Sequence, residues 1–167
     1  MKKILVLISM LFILVSANAY ASWEYMGNDS SGNQEYILPE SSQVIKFTPK
    51  QFEWTVQVKE IYSREGKSDL ISNYALKGVK IKGIELADYE IKTYHFKAWK
   101  DQVGFRVDNS YGYNNNGYQV CTFKGWYSFE PFESRSLVGL FSYRALNYLE
   151  TLNNIDYFKI LIENNKK

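Results

Sequence analysis

From Phe52 to Lys59 the chain alternates without a break. Phe52, Trp54, Val56 and Val58 fall on one side, and Glu53, Thr55, Gln57 and Lys59 on the other. A period of two is that of a strand in a sheet with one wet face; a helix would scatter the same aromatics around its circumference. Tyr62 continues the apolar side, and the polar segment Ser63–Ser68 reads as a loop. The same alternation returns from Tyr89 to Trp99, with Ile91, Thr93 and His95 facing one way and Tyr94, Phe96 and Ala98 the other. Lys100-Asp101-Gln102 reads as a turn, after which Val103–Val107 runs back. Between the two alternating stretches, Leu70–Leu86 carries Val79, Ile81 and Ile84 among Gly78 and Gly83, which predicts broken strands or a bulge.

Turn chemistry separates the remaining strands. Trp23-Glu24-Tyr25-Met26-Gly27 leads into Asn28-Asp29-Ser30-Ser31-Gly32, and Gln34–Leu38 follows as the second arm of a first hairpin. Pro39–Ser42 interrupts that arm, Gln43–Phe47 resumes it, and Pro49 ends it. Asn114-Asn115-Asn116-Gly117 is a second hairpin signal, because Asn and Gly tolerate the positive φ of tight turns. Tyr111 and Tyr113 lead in; Tyr118, Val120 and Thr122 lead out.

Gly125-Trp126-Tyr127-Ser128-Phe129-Glu130-Pro131-Phe132-Glu133 reads as a strand end and a corner, after which the period changes. With Ser136 as N-cap, Leu137, Phe141, Ala145, Tyr148 and Leu152 share one face, flanked by Val138 and Leu149. Gly139, Tyr143, Asn147 and Glu150 lie opposite. The apolar arc spans about half the circumference, wide enough to cover a sheet. Asn153-Asn154 stops this helix, and Ile155–Ile162 fits either a last strand or a second helix. The predicted fold class is α+β: an antiparallel multistranded β-sheet with a C-terminal amphipathic helix packed on one face.

The first 21 residues are read as an export signal rather than structure. Lys2 and Lys3 precede the apolar run Ile4–Val15, and small-residue cleavage sites follow at Ala17-Asn18-Ala19 or Ala19-Tyr20-Ala21. That run is short for a membrane span, which needs roughly 20 residues. The alternative is an uncleaved N-terminal anchor. The expectation is a bacterial Sec-type signal over 1–21 and a single domain over 22–167, exported to the periplasm or cell surface with no integral membrane segment after cleavage.

Composition narrows the function classes. Without Lys2 and Lys3, the 20 basic residues fall to the number of acidic ones, 18, so the mature chain is near neutral and shows no basic stripe for nucleic acid. At 46% hydrophobic and 17% aromatic the chain can bury a core, and 14 Tyr and 10 Phe favour strands. Cys121 is the one cysteine, so no intramolecular disulfide forms. Its place between Val120 and Thr122 reads as a small core residue, the alternative being an intermolecular bridge.

The order Trp23-x-Tyr25-x-Gly27, strands, a Tyr-Gly hairpin, Trp126-x4-Pro131-x2-Ser134 and a helix resembles the bacterial surface-adhesin protein E family of small exported domains. The resemblance implies an antiparallel sheet packed on a C-terminal helix. It also implies a binding role at the envelope. Members of that family often carry an Asp-Cys pair after a Tyr-x-Phe strand and a second Cys toward the helix, closing a disulfide. Here Tyr94-His95-Phe96 is followed by Lys97-Ala98 and the helix has no Cys, so both halves of the bridge are missing. No binding residue carries over.

Candidate chemistry is sparse. His95 and Cys121 could pair as base and nucleophile, but no local signature supports this against a sheet-embedded His and a core Cys, and one His with one Cys excludes a His/Cys zinc site. Glu130 and Glu133 are read as acids favouring the helix N-terminus or facing water, and Asp88 and Glu90 as solvated charges at a strand edge. No catalytic residue, metal-ligand set or cofactor is predicted. The candidate ligand-binding residues are Tyr111, Tyr113, Asn115 and Tyr118, because exposed rings beside amides stack on sugars or serve as adaptable protein-contact surfaces. The expected function is that of a non-enzymatic exported binding protein with a protein ligand. The alternatives are a periplasmic accessory domain that binds glycan, and a small periplasmic enzyme.

Overall fold

A computed structural model describes residues 22–163 other than 49, 100, 101, 126, 127, 158, 161 and 162. The proposed signal, Pro49, the Lys100-Asp101 turn and the Trp126-Tyr127 corner therefore lie outside the described residues. The strands are β1 (Glu24–Asn28), β2 (Gln34–Thr48), β3 (Gln51–Ile61), β4 (Tyr89–Trp99), β5 (Gln102–Tyr113), β6 (Gln119–Lys124) and β7 (Glu130–Pro131). They form one antiparallel sheet in which β1 to β6 neighbour one another in chain order, and β7 pairs with the other end of β5. Among the described residues two unbroken α-helices accompany them, α1 (Arg64–Leu76) and α2 (Leu137–Asn153), with a 3₁₀ turn at Ile84–Leu86.

The α+β architecture is as the periodicity predicts. Phe52, Trp54, Val56 and Val58 are all at most 1% exposed, and pack with Tyr94, Phe96, Ala98, Phe105 and Val107 from the next two strands. Phe141, Ala145, Leu146 and Leu149 of α2 close this core from the same side. Ser136 caps α2 through its hydroxyl, which accepts the Gly139 N–H, and Asn154 ends the helix at φ 52° in the left-handed region. The buried stripe is rotated from the predicted one. Gly139, expected to face out, is buried against the carbonyls of Glu133 and Ser134, whereas Leu152 is 65% exposed. Beyond α2, residues 157, 159, 160 and 163 are helical and 155 and 156 are not, so the described part of the segment left open between strand and helix contains helix and no strand.

The chief correction concerns 63–86. Ser63–Ser68 is not a loop: Ser63 is the N-cap of α1, accepting the Gly66 N–H, and Arg64 opens the helix. Leu70, Ile71 and Tyr74, spaced for one helical face, pack over Ile84, Ala87, Cys121 and Phe123. This second core lies on the same side of the sheet as α2. Among the described residues both α-helices thus cover one face, and the other carries none.

Irregular strands do the aiming. β2 runs unbroken past Pro39–Ser42, but its register against β3 shifts between Leu38 and Gln43, which absorbs the predicted interruption. In β5, Thr93 opposes Asn109 and Tyr94 opposes Val107, so Asp108 is the extra residue of a bulge. The bulge turns its carboxylate toward His95 on the helix-free face.

Candidate functional site

The four residues singled out by sequence sit at or near one end of the helix-free face. Tyr111 and Tyr113 project from β5 opposite Ile91 and Tyr89 of β4. Asn114 builds the hairpin beyond them: its Oδ1 accepts the N–H groups of Asn116 and Tyr118, and Gly117 adopts φ 78°. Asn115 is exposed, and its N–H donates to Asp88 Oδ2 at 2.8 Å. Tyr118 is 70% exposed at the tip. Asp88, expected to be a solvated charge, instead ties the hairpin to the body, since its N–H also donates to Tyr113 O and its carboxylate meets Lys67 at 3.4 Å.

Sequence reasoning missed what these tyrosines join. Pairing across β1 to β5 places Tyr25, Tyr36, Lys59, Ile91 and Tyr111 in one row, and Ile61, Tyr89 and Tyr113 in the next. All are half-buried except Tyr25, which is 57% exposed. The rings of Tyr89 and Tyr113 stack at 5.3 Å and 12°, and those of Tyr25 and Tyr36 meet at 5.4 Å. Lys59 Nζ lies 4.6 Å over Tyr89 and 6.0 Å from the Trp23 ring. The face expected to be uniformly wet is therefore an aromatic surface at this end. The signal lay in the strands' second residue sets, Tyr36, Tyr89, Ile91 and Tyr111, which are as apolar as the first.

At the other end of that face His95 is 5% exposed, confirming the sheet-embedded reading. Its Nδ1 lies 3.0 Å from Asp108 Oδ2 and its Nε2 2.9 Å from Glu53 Oε2. Arg106 donates to Asp108 at 2.6 Å, and Phe129 sets its ring edge-on over the imidazole. Cys121 lies on the opposite face, 6% exposed, and burial pushes its thiol up. The two residues weighed as a catalytic pair are on different sides of the sheet. Glu130 and Glu133 are exposed.

The helix-bearing face carries charges that the alternation should have made apolar. Glu35, Glu60 and Glu90 stand directly opposite one another on β2, β3 and β4, at 5%, 6% and 5% exposure. Glu90, expected to be solvated, is thus buried: Ser110 donates to its Oε2 at 2.6 Å, and Lys92 Nζ lies 2.7 Å from its Oε1. Lys92 also contacts Glu60, whose Oε1 accepts from Asn33 Nδ2 at 2.6 Å. Like charges opposed across strands destabilise a sheet, and buried charges need partners. The chemistry responds as expected. Burial pushes the Glu35 carboxyl up to about 8 against the pull of Lys92, and Glu60 is raised for the same reason. Burial acts to lower Lys92, but Glu90, Tyr94, Glu60 and Glu35 outweigh it and hold the amine well above its usual range. A recess of about 200 Å³ between α1 and the sheet opens onto Glu90, Lys92 and Ser110, walled by Tyr74, Tyr94 and Phe123.

No helix among the described residues is long and apolar enough to cross a membrane. Comparison of the chain with protein-family models, curated proteins and solved structures finds no match, so a role for it is argued from the geometry above.

Proposed function

We propose that this is an exported, non-enzymatic binding domain of the bacterial envelope or surface, and that the aromatic half of the helix-free face engages a protein ligand. The observation that carries this reading is a sheet face bearing Tyr25, Tyr36, Tyr89, Tyr111 and Tyr113 that no helix covers among the described residues. Tyrosine supplies large contact area with a polar tip at little entropic cost, which suits protein interfaces. Contiguous apolar surface on a soluble protein marks an interaction site. The ring geometry favours protein over sugar. Tyr89 and Tyr113 present edges and hydroxyls because their faces stack on each other and under Lys59. A sugar needs a bare ring face. Export and adhesion come from the leader-like first 21 residues and the resemblance to surface-adhesin protein E.

A glycan reading keeps one specific support, the exposed ring of Tyr118 beside exposed Asn115 and Asn116. One experiment addresses both. The domain 22–167 is immobilised and used to capture ligands from envelope and matrix extracts, alongside Tyr89→Ser/Tyr113→Ser, Tyr118→Ser and, as a control on α2, Tyr143→Ser. Capture lost in the double variant and kept in Tyr143→Ser is expected, with the captured material sensitive to protease. Capture abolished by Tyr118→Ser and by periodate treatment assigns the glycan reading. Equal capture by all four sinks both. Protease shaving of intact cells checks location: degradation places the domain at the surface, and protection confines it to the periplasm.

A further inference from the structure

We propose that Asp29, Glu35 and Glu60 bind one calcium ion at the base of the β1–β2 turn. One oxygen from each of these carboxylates lies within 4.8 Å of the others. Oxygens sharing a calcium shell at about 2.3–2.6 Å from the ion are separated by at most roughly twice that length. A calcium ion can therefore span this cluster with at most a small inward shift of the carboxylates. The donor set is all oxygen, which suits a hard cation and not zinc or copper.

The electrostatics at this end of the row are incomplete. Lys92 satisfies Glu90 and one oxygen of Glu60, and it is the ammonium that contacts this row among the described residues. Glu35 Oε2 is buried with no hydrogen-bond partner, on a residue 95% buried and directly opposite Glu60. An orphaned carboxylate oxygen in such a place calls for a positive partner. The neighbouring ligands are already aimed. Asp29 Oδ1 accepts the N–H groups of Ser31 and Asn33, each at 2.9 Å, and Asn33 Nδ2 bridges Asp29 Oδ2 and Glu60 Oε1. Each carboxylate keeps lone pairs beyond these bonds. Glu60 would then stand between two cations, Lys92 on the Glu90 side and calcium on the Glu35 side. A proton on Glu35 is the rival way to discharge the row.

The site lies apart from the aromatic face and is tested separately from it. The mature chain is melted in chelator, in about 10 mM calcium chloride, in magnesium chloride, and in sodium chloride of equal ionic strength. Calcium is expected to raise Tm by roughly 9 °C, the shift of an ion bound with Kd about 100-fold below its concentration. Calorimetric titration should give one ion per chain. Glu35→Gln, which keeps the shape and removes the charge, should melt in chelator no lower than the parent and lose the calcium response. No calcium shift in the parent chain overturns the proposal, and so does a shift that survives Glu35→Gln or is matched by magnesium or sodium. Should Glu35→Gln fail to fold, Asp29→Asn takes its place: loss of the response supports the site, and retention overturns it.

Discussion

Phe141 shows at the scale of one residue how the helix is committed to the sheet. It is 1% exposed, and its ring meets that of Tyr94 edge-on at 5.5 Å. Phe141→Ala should cost about 3–5 kcal/mol, read as a lower urea midpoint with an unchanged slope. Glu24 of β1 and Arg144 tie the N-terminal strand to α2, with two hydrogen bonds of 2.7 and 2.6 Å. The Arg144 hydrogen bonds hold the Glu24 carboxyl below its ordinary value, more than burial raises it. A depressed acid stabilises the fold above its unfolded pKa, and loses that contribution as pH falls through the folded value. The stability advantage of the parent over Glu24→Gln should therefore shrink between about pH 5 and pH 3, in urea titrations at each pH. Cys121, buried and with its thiol pushed up, should resist a thiol reagent at about pH 7.5 until the chain is unfolded.

At the scale of elements, α1 and the β1–β2 turn are held as one unit. Ser63 Oγ caps α1 and donates to Ser31 O at 2.6 Å, while Asn33 Oδ1 accepts the Ser63 N–H. A Cβ on Gly66 would stand 1.9 Å from Asn33 Oδ1. Gly66→Ala should therefore displace Asn33 and lower Tm more than Ser63→Ala, whose lost cap is worth about 1 kcal/mol; paired thermal melts decide the order. This unit explains what was illegible. The strands and α2 announced themselves because each buries a stripe at its own period. Only Gly66 of α1 is buried, and Leu70, Ile71 and Tyr74 are half-buried amid Arg64, Glu65, Lys67, Ser68 and Asp69, so its polar composition read as loop. The charge row was hidden for another reason. Glu35 and Glu60 each extend an apolar stripe by one step of two, and Glu90 stands beyond Lys92 at the end of another, but only pairing across three strands reveals that the three positions coincide. Likewise the hairpin tyrosines were visible singly, and the stacking of Tyr113 on Tyr89 was not.

For the molecule as a whole, the large apolar face shared by β2 to β5 is sealed by α2, with Tyr157 beyond it packing into the same core. A chain ending at residue 135 should retain strand signal by circular dichroism, bind a hydrophobic dye and lose its cooperative melt. The sheet itself has a simple order: every strand from β2 to β6 pairs with the one made just before it. Four of these five pairings close a short loop at little cost in chain entropy, whereas β3 and β4 are joined by the longer segment Tyr62–Asp88, which folds as α1 and the 3₁₀ turn. A chain appearing from its N-terminus can therefore add strands in the sequence in which they emerge, never waiting for a distant partner. The helix that completes it reaches back to β1, β2 and β3, the first strands to appear. Completion is thus checked against the beginning: a chain that stops early is left with its oldest strands unsealed, and is marked for capture by whatever recognises bare apolar surface.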